Sequence, residues 1–219
     1  MLELILPVGV ESEERFGEPP DDQLFPEEKK IIAQAVPTRR REYAAVRSCA
    51  RGCLQRLGYP GVPILPGVGG APIWPDGVQG SMTHCTGYAG AAVGVQPPIF
   101  AIGIDAEPDA PLPDGVVDLI ATAAEQDHLV MIQPGLDGPN WDRLLFSAKE
   151  AVYKAWFPLV GEWLDHQQAE IIFHPHDGTF AAQLTRDGLI VNGRQVRRLH
   201  GRWIRERGIL LTAVVLSST

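Results

Sequence analysis

Three carboxylates and one lysine stand at spacings that suit a site for a metal ion and a phosphate. Asp105 and Glu107 lie two residues apart after an apolar run at 99–104, which predicts a buried strand. Because alternate residues of a strand point to one side, we expect both carboxylates on one face. Glu150 and Lys154 are four residues apart in a helical pattern, so they share a helix face. Such oxygen ligands beside an ammonium suggest a hard cation handling a phosphate.

Each of these pairs has a simpler interpretation when it is taken alone. An Asp-x-Glu pair at the end of a strand is more often exposed or salt-bridged than bound to a metal. Glu150 with Lys154 is, by the same reasoning, usually a surface ion pair worth about 0.2–0.5 kcal/mol. The functional interpretation therefore depends on further motifs that occur in order with these two.

The composition indicates an ordinary globular protein. The chain has 219 residues, 45% of them hydrophobic and 21% charged, with a net charge of −8. This length allows one large domain or two small ones, and the acidic balance argues against nucleic-acid binding. No run approaches membrane-spanning length, and residues 1–8 lack the basic flank of a secretory signal. The three cysteines disfavour a disulfide framework, so we expect a cytoplasmic protein.

Two long helices are expected to carry much of the candidate site. The first is predicted at 38–57, where apolar residues including Tyr43 recur every three and four positions and Gly58 ends the helix. The second is predicted at 140–157, capped by its first residue and ended by Pro158. A short helix is also expected near 121–127.

Antiparallel strands are predicted in both halves of the chain. Residues 81–95 show a strand, a turn and a second strand, and the last fifty residues alternate strands with turns such as Asp187-Gly188. The later strands are expected at 169–173, 179–184, 189–192, 199–205 and 209–216. Loops or irregular segments are expected at 9–26, 58–80 and 133–139. This order favours two α+β halves, joined near residues 95–110, over a parallel doubly wound sheet.

Four segments form an ordered set of motifs. They are Arg39-Arg-Arg-Glu-Tyr-Ala-Ala-Val-Arg-Ser-Cys-Ala-Arg51, Trp74-Pro-Asp-Gly-Val-Gln-Gly-Ser-Met-Thr-His-Cys85, Gly103-Ile-Asp-Ala-Glu107 and Phe146-Ser-Ala-Lys-Glu-Ala-Val-Tyr-Lys154. Together they resemble the 4′-phosphopantetheinyl transferases, specifically the enterobactin-type and actinobacterial branch of the Sfp-type group. The resemblance runs from about residue 26 to the C-terminus. One such motif is modest evidence, whereas four in register are specific.

The resemblance implies a fold and a reaction. The fold would be a pseudo-twofold pair of α+β halves with antiparallel sheets. Residues 1–100 would bind the nucleotide phosphates, and residues 101–219 would carry the metal and the catalytic residues. Coenzyme A would lie in the cleft between the halves. Its 4′-phosphopantetheine arm would be transferred to a serine of an apo acyl or peptidyl carrier protein, leaving 3′,5′-ADP.

The resemblance also assigns roles to single residues. Asp105, Glu107 and Glu150 would hold Mg²⁺ against the diphosphate, with Asp105, Glu150 and Lys154 as the catalytic group. Lys149 and Lys154 would contact phosphate oxygens or the charge developing on the leaving ADP. Glu150 would accept the serine proton, directly or through a water held by the metal. The nucleotide-phosphate site would contain Arg39, Arg47, Ser81, Thr83 and His84.

One segment departs from the family pattern. Related sequences often place lysines before the Trp-Pro motif, and Leu65-Pro-Gly-Val-Gly-Gly-Ala-Pro72 has none. Either the affinity for the nucleotide is lower, or another cation such as Arg40 or Arg51 takes over. A lysine introduced at Pro66 or Gly69 is predicted to tighten coenzyme A binding.

The expected partners are carrier proteins of polyketide, fatty-acid or nonribosomal peptide synthesis. The chain is expected to be a monomer. It is expected to bind neither nucleic acid nor membrane. Two other functions use the same residues. A Mg²⁺-dependent phosphohydrolase would direct water at a diphosphate, and a non-catalytic module would bind coenzyme A alone.

Overall fold

The computed structural model describes residues 1–17, 24–133, 138–185, 188–191 and 193–218. In the N-terminal half, helix α2 packs on a three-stranded antiparallel sheet of order β1-β3-β2. The elements of this half are β1 (Val10–Phe16), α1 (Pro26–Ile31), α2 (Pro37–Arg56), β2 (Val78–Cys85) and β3 (Tyr88–Val95). Small buried residues such as Cys49, Cys53 and Ala91 let the helix lie close to the sheet.

The C-terminal half repeats this architecture on a larger scale. Helix α5 packs on a five-stranded antiparallel sheet of order β4-β10-β9-β6-β5, and β7 and β8 form a separate hairpin. Its strands are β4 (Ile99–Pro108), β5 (Ala169–His174), β6 (Thr179–Leu184), β7 (Leu189–Val191), β8 (Arg194–Val196), β9 (Arg198–Glu206) and β10 (Ile209–Ser217). Its helices are α3 (Val116–Ile120), α4 (Ala123–Ile132) and α5 (Trp141–Val160). The predicted α+β class with two similar halves is confirmed.

Side-chain hydroxyls join the two halves where β2 lies beside β4. Ser81 Oγ accepts a hydrogen bond from the backbone N–H of Ile104 at 3.1 Å, and Thr83 Oγ1 accepts one from Ala106 at 3.0 Å. Each hydroxyl thus satisfies a buried backbone donor that would otherwise be costly to leave unpaired. The segment Leu2–Ile5 also packs against the second sheet. The boundary between the two halves at residue 100 stays a prediction.

The expected loop at 9–26 was wrong over its first part, because Val10–Phe16 forms strand β1 and pairs with β3. Its acidic sequence looks unsuited to a strand, yet its carboxylates have partners. Arg56 bonds to Glu11 at 2.8 Å and to Glu13 at 2.9 Å. These ion pairs join α2 to β1, which are far apart in the sequence, so no local pattern could predict them. Residues 18–23 lie outside the described residues.

Four other boundaries differ from the sequence prediction, the first being that of β2, which begins at Val78 inside the segment 58–80 expected to be irregular. Helix α5 continues through Pro158 to Val160 and is capped by Gly161, whose φ is +73°. A proline so close to a helix end removes a single backbone hydrogen bond, and its fixed φ is already helical. Strand β4 extends to Pro108, so the acidic pair lies inside the strand rather than after it. Helix α4 begins two residues later than expected and runs to Ile132.

Besides β1, two elements, α3 and β8, were not predicted from the sequence. The Asp187-Gly188 turn and most of the 133–139 loop include residues outside the described part of the chain. Among the helices that the structure describes, none combines the length and the apolar character needed to cross a membrane.

Candidate active site

A cavity of about 610 Å³ opens between the two halves. Helix α2, the segment 66–72 and strand β2 form one side, and β4 and α5 form the other. Its polar and aromatic lining residues are Arg39, Tyr43, Arg47, Ser81, Thr83, His84, Asp105, Glu150, Tyr153, Lys154 and Phe157. Eight of the ten residues predicted for the site therefore face one cavity.

Gly103 sets how closely α5 approaches β4. A Cβ atom on Gly103 would lie 1.9 Å from the carbonyl oxygen of Ala151, so only glycine fits between this strand and this helix. The close packing brings the face of α5 that carries Glu150 and Lys154 next to Asp105. Gly103 of the third motif and Ala151 of the fourth are thus in direct contact.

Asp105 is held by residues from both halves. Its Oδ1 atom accepts a hydrogen bond from Lys154 Nζ at 2.7 Å and from Thr83 Oγ1 at 3.3 Å. Lys154 Nζ also donates to the carbonyl oxygen of Ile104 at 3.1 Å. Asp105 is 5% exposed, and its Oδ2 atom is buried without a hydrogen-bond partner among the described residues. A buried carboxylate oxygen left open in this way is an acceptor that a cation can fill.

The other two carboxylates add negative charge around Asp105. Burial raises the pKa of Glu150, and the charge of Asp105 adds to this effect, while Lys154 opposes it. Burial and the charge of Asp105 also raise the pKa of Glu107, which forms a 2.9 Å ion pair with Arg143.

The donor set and its excess negative charge fit a hard cation such as Mg²⁺. Within the part of the chain that the structure describes, however, no three His, Cys, Asp or Glu side chains form a preassembled metal site.

Cations line the wall of the cleft formed by α2 and β2, here called the basic end, whereas Asp105, Glu150 and Lys154 on the facing wall of β4 and α5 are called the acidic end. Arg39 Nη1 lies 2.5 Å from His84 Nε2, and the His84 ring faces Glu42 at 3.8 Å. Arg47 is 6% exposed and donates through Nε to the carbonyl oxygen of Ile64 at 2.9 Å. Its guanidinium lies over the Tyr43 ring, 3.2 Å from the centroid. Guanidinium groups fixed in this way suit the recognition of phosphate oxygens.

The environment of His84 disfavours its charged form. Burial lowers the pKa of His84 below its ordinary 6.5, and the positive charges of Arg39 and Lys154 also lower it, while Glu42 and Asp105 oppose the shift. The folded-state pKa is therefore below that of the unfolded chain, so the unfolded state binds more protons as the solution is acidified.

Stability should consequently fall as the pH drops from about 6.5 through the lowered pKa of His84. We expect the His84→Asn variant to show a shallower loss of unfolding free energy between about pH 7 and pH 5 than the wild type. Urea unfolding at a series of pH values measures this. Burial also lowers the pKa of His166, so His166 contributes the same pH dependence of the unfolding free energy to the wild type and to His84→Asn. Identical pH profiles would contradict the expectation.

The structure corrects the role expected for Lys149. Its side chain points away from the cleft, is 2% exposed and forms a 2.8 Å ion pair with Glu125. Lys149 Nζ also donates to the carbonyl oxygens of His166 at 2.5 Å and Ala169 at 2.9 Å. Its three donor positions are thereby occupied, so it is not placed to contact a phosphate. Adjacent helical residues differ in direction by about 100°, which is why Lys149 and Glu150 face different surroundings.

Neither arginine suggested as a substitute for the missing lysines faces the cleft. Arg40 donates to the carbonyl oxygens of Ala33 and Ala35. Arg51 binds both carboxylate oxygens of Glu28, at 2.9 and 3.1 Å. Both are therefore structural groups of the N-terminal half.

Several cleft residues were missed in the sequence analysis. Tyr153 and Phe157 follow Glu150 by three and seven residues, so helical spacing alone could have placed them on its face. Tyr43 was assigned to the packing stripe of α2, and Arg143 carried no motif. The contact of Arg143 with Glu107 crosses from α5 to β4 and has no signal in the local sequence.

Comparison with known proteins agrees with this geometry. The family model described as the 4′-phosphopantetheinyl transferase N-terminal domain matches residues 27–94, and that of the 4′-phosphopantetheinyl transferase superfamily matches residues 101–198. The 4′-phosphopantetheinyl transferase Svp of Streptomyces mobaraensis is 47% identical over 221 residues, covering 100% of this chain and 90% of Svp. The chain belongs to the 4′-phosphopantetheinyl transferase family.

Two further relatives of this transferase are similar along nearly their whole length. The 4′-phosphopantetheinyl transferase PptT of Mycobacterium tuberculosis is 46% identical, covering 93% of this chain and 90% of PptT. The 4′-phosphopantetheinyl transferase Npt of Nocardia iowensis is 45% identical, covering 98% of this chain and 99% of Npt. The family recognised from the four motifs is confirmed, and the chain is an enzyme of the transferase class.

Proposed function

We propose that this transferase moves the 4′-phosphopantetheine arm of coenzyme A onto a serine hydroxyl of an apo acyl or peptidyl carrier protein, releasing 3′,5′-ADP in a Mg²⁺-dependent reaction. One observation carries the proposal: a single cleft holds basic groups for a nucleotide at one end and the Asp105, Glu150 and Lys154 set at the other. A diphosphate bridging these two ends would place its phosphorus atoms beside the carboxylates.

The basic end would position the nucleotide portion of coenzyme A. Arg39 is half-exposed and can turn toward an incoming phosphate, whereas Arg47 is fixed by its bonds to backbone carbonyls. His84 bonds to Arg39 and so helps to orient that guanidinium. Ser81 and Thr83 line the same wall, where their hydroxyls also hold the two halves together.

At the acidic end, the serine oxygen would attack the phosphorus that carries pantetheine. The phosphorus–oxygen bond to 3′,5′-ADP breaks in the same displacement, and the serine proton passes to Glu150. Burial raises the pKa of Glu150, which makes its carboxylate a stronger proton acceptor than an ordinary glutamate. Lys154, already bonded to Asp105, can donate to a phosphate oxygen and offset the charge that develops on the leaving ADP.

Asp105, Glu107 and Glu150 are the residues that we propose hold Mg²⁺. The open Oδ2 atom of Asp105 and the repulsion of Asp105 with Glu107 and with Glu150 support this assignment. The ion pair of Glu107 with Arg143 already occupies one oxygen of Glu107. Bound Mg²⁺ would neutralise diphosphate charge and orient the displacement.

The segment without lysines gives a gain-of-affinity prediction. Gly69 is unsuitable for a lysine, because its φ is +63° and a Cβ atom there would lie 2.4 Å from Phe157 Cζ. Pro66 lines the cleft, so tighter coenzyme A binding with a lysine at this position stays a prediction. Ala71 is a better position, since it lines the cleft with φ −61° and ψ 138°, which any residue adopts.

The Ala71→Lys variant should bind coenzyme A about two- to five-fold more tightly, because it adds one partly exposed cation beside the phosphates. Isothermal titration calorimetry measures the dissociation constant. Gln195→Lys adds the same charge on the exposed face of β8 and should leave the constant unchanged. Equal affinity in Ala71→Lys and the wild type would show that coenzyme A phosphates lie elsewhere.

Product analysis tests the proposed function. Apo carrier, coenzyme A, Mg²⁺ and the enzyme are incubated, and the nucleotides are separated by chromatography. Transfer predicts 3′,5′-ADP in equal amount to holo carrier, formed only when apo carrier is present. Release of free phosphopantetheine without carrier would instead identify a phosphohydrolase. Unchanged coenzyme A with every acyl and peptidyl carrier would identify a binding module.

A further inference from the structure

The cleft contains a second buried polar atom without a partner. Tyr43 is 7% exposed and lines the cleft, and its hydroxyl oxygen has no hydrogen-bond partner within the described ranges. A buried hydroxyl that leaves its hydrogen-bonding capacity unused destabilises the folded chain. In a residue from the α2 face that also carries Arg39 and Arg47, such an unused donor points to a missing ligand.

The surroundings of this hydroxyl determine which ligand would suit it. The Arg47 guanidinium stacks on the Tyr43 ring with its central carbon 3.2 Å from the centroid, and Arg39 precedes Tyr43 by one helical turn. Glu28 lies 3.9 Å from Arg47 Nε but is itself bound by Arg51, so the arginines of α2 leave positive charge here that favours an anion. Burial raises the pKa of Tyr43 above 10.0, so the phenol keeps its proton and acts as a donor at neutral pH.

We propose that the Tyr43 hydroxyl donates a hydrogen bond to a phosphate oxygen of the bound nucleotide and so acts as a further substrate-binding residue. This inference rests on the proposed function, because the ligand is the nucleotide portion of coenzyme A. Tyr43 and Asp105 then offer complementary open groups, a donor at the basic end and an acceptor at the acidic end.

The Tyr43→Phe variant tests this inference, since it removes one oxygen and keeps the ring that stacks under Arg47. We expect the dissociation constant for 3′,5′-ADP, measured by calorimetry, to rise about ten-fold, the usual size for losing a hydrogen bond to a charged group. The urea midpoint should stay equal or rise, because an unpartnered buried hydroxyl is removed. A purely structural tyrosine would show the opposite pattern, with lower stability and unchanged binding.

Tyr59→Phe provides the matched control. Tyr59 packs against the core of the N-terminal half and carries the same hydroxyl, so its removal should leave 3′,5′-ADP binding unchanged. If the wild type and Tyr43→Phe both bind 3′,5′-ADP with the same affinity, the role of Tyr43 is overturned and the proposed function stays intact. Absence of any 3′,5′-ADP or coenzyme A binding by the wild type would overturn the proposed function itself.

Discussion

Replacing Glu150 with glutamine should reduce phosphopantetheine transfer by about 10²–10³-fold in kcat, since one preorganised charged group at the reacting phosphorus is lost. The folded structure should tolerate the change well. Because burial and the charge of Asp105 raise the pKa of Glu150, ionising this carboxyl costs more in the folded chain than in the unfolded chain. Neutral glutamine removes that penalty, so the urea midpoint should stay the same or increase. Initial rates of carrier modification and urea unfolding measure the two effects.

Glu206→Gln is the control for this experiment. Glu206 is an exposed residue at the end of β9 and faces Arg207 at 3.9 Å, so its neutralisation should change neither rate nor midpoint. A Glu150→Gln enzyme with nearly wild-type kcat would show that Glu150 neither accepts the serine proton nor holds the metal. A lost rate together with a strongly lowered midpoint would assign Glu150 a structural role instead.

Replacing Lys149 with methionine should destabilise the protein by about 3–5 kcal/mol, because it leaves Glu125 charged and uncompensated in the core. Both side chains are nearly inaccessible, and Glu125 also accepts hydrogen bonds from the backbone N–H groups of Thr122 and Ile171. For a chain of this length the melting temperature should fall by about 10 °C or more. Thermal and urea unfolding would measure the loss.

Two companion variants separate this buried ion pair from a role in substrate binding. Lys149→Met combined with Glu125→Gln should be less destabilised than the sum of the single changes, because no unpaired charge remains. Lys30→Met, at an exposed position of α1, should stay within about 0.5 kcal/mol of the wild type. Folded Lys149→Met protein should bind coenzyme A with wild-type affinity. Weakened binding with unchanged stability would restore the phosphate contact first expected for Lys149.

The elements of the fold could be predicted where their periodicity was strong. Helices α2 and α5 and most C-terminal strands have apolar repeats and glycine-containing turns, so local sequence specifies them. Strand β1 does not, because its stability depends on pairing with β3 and on ion pairs to Arg56, far along the chain. The extension of α5 through Pro158 depends on the position of proline in the last turn, which a rule about helix breakers overlooks.

In the candidate site, too, local spacing predicted some features, whereas others depend on contacts between distant elements. Spacing within one element paired Asp105 with Glu107 on a strand and Glu150 with Lys154 on a helix. The meeting of the two pairs was predicted from the family resemblance. Helix geometry already turns Lys149 about 100° away from Glu150. Its pairing with Glu125 has no local signal, because Glu125 comes from α4 and is distant in sequence. Tyr43 was predicted to be buried and is buried. That its hydroxyl has no partner, however, is a property of the surrounding tertiary structure.

Intact-protein mass spectrometry of an apo carrier incubated with this enzyme, coenzyme A and Mg²⁺ tests the central claim most directly. The account predicts a mass gain of one phosphopantetheine per carrier. This gain should disappear with EDTA and become very slow with Glu150→Gln, while Glu206→Gln supports the full gain. An unchanged mass for both acyl and peptidyl carriers, with coenzyme A bound or hydrolysed, would contradict the assignment of this cleft to phosphopantetheine transfer.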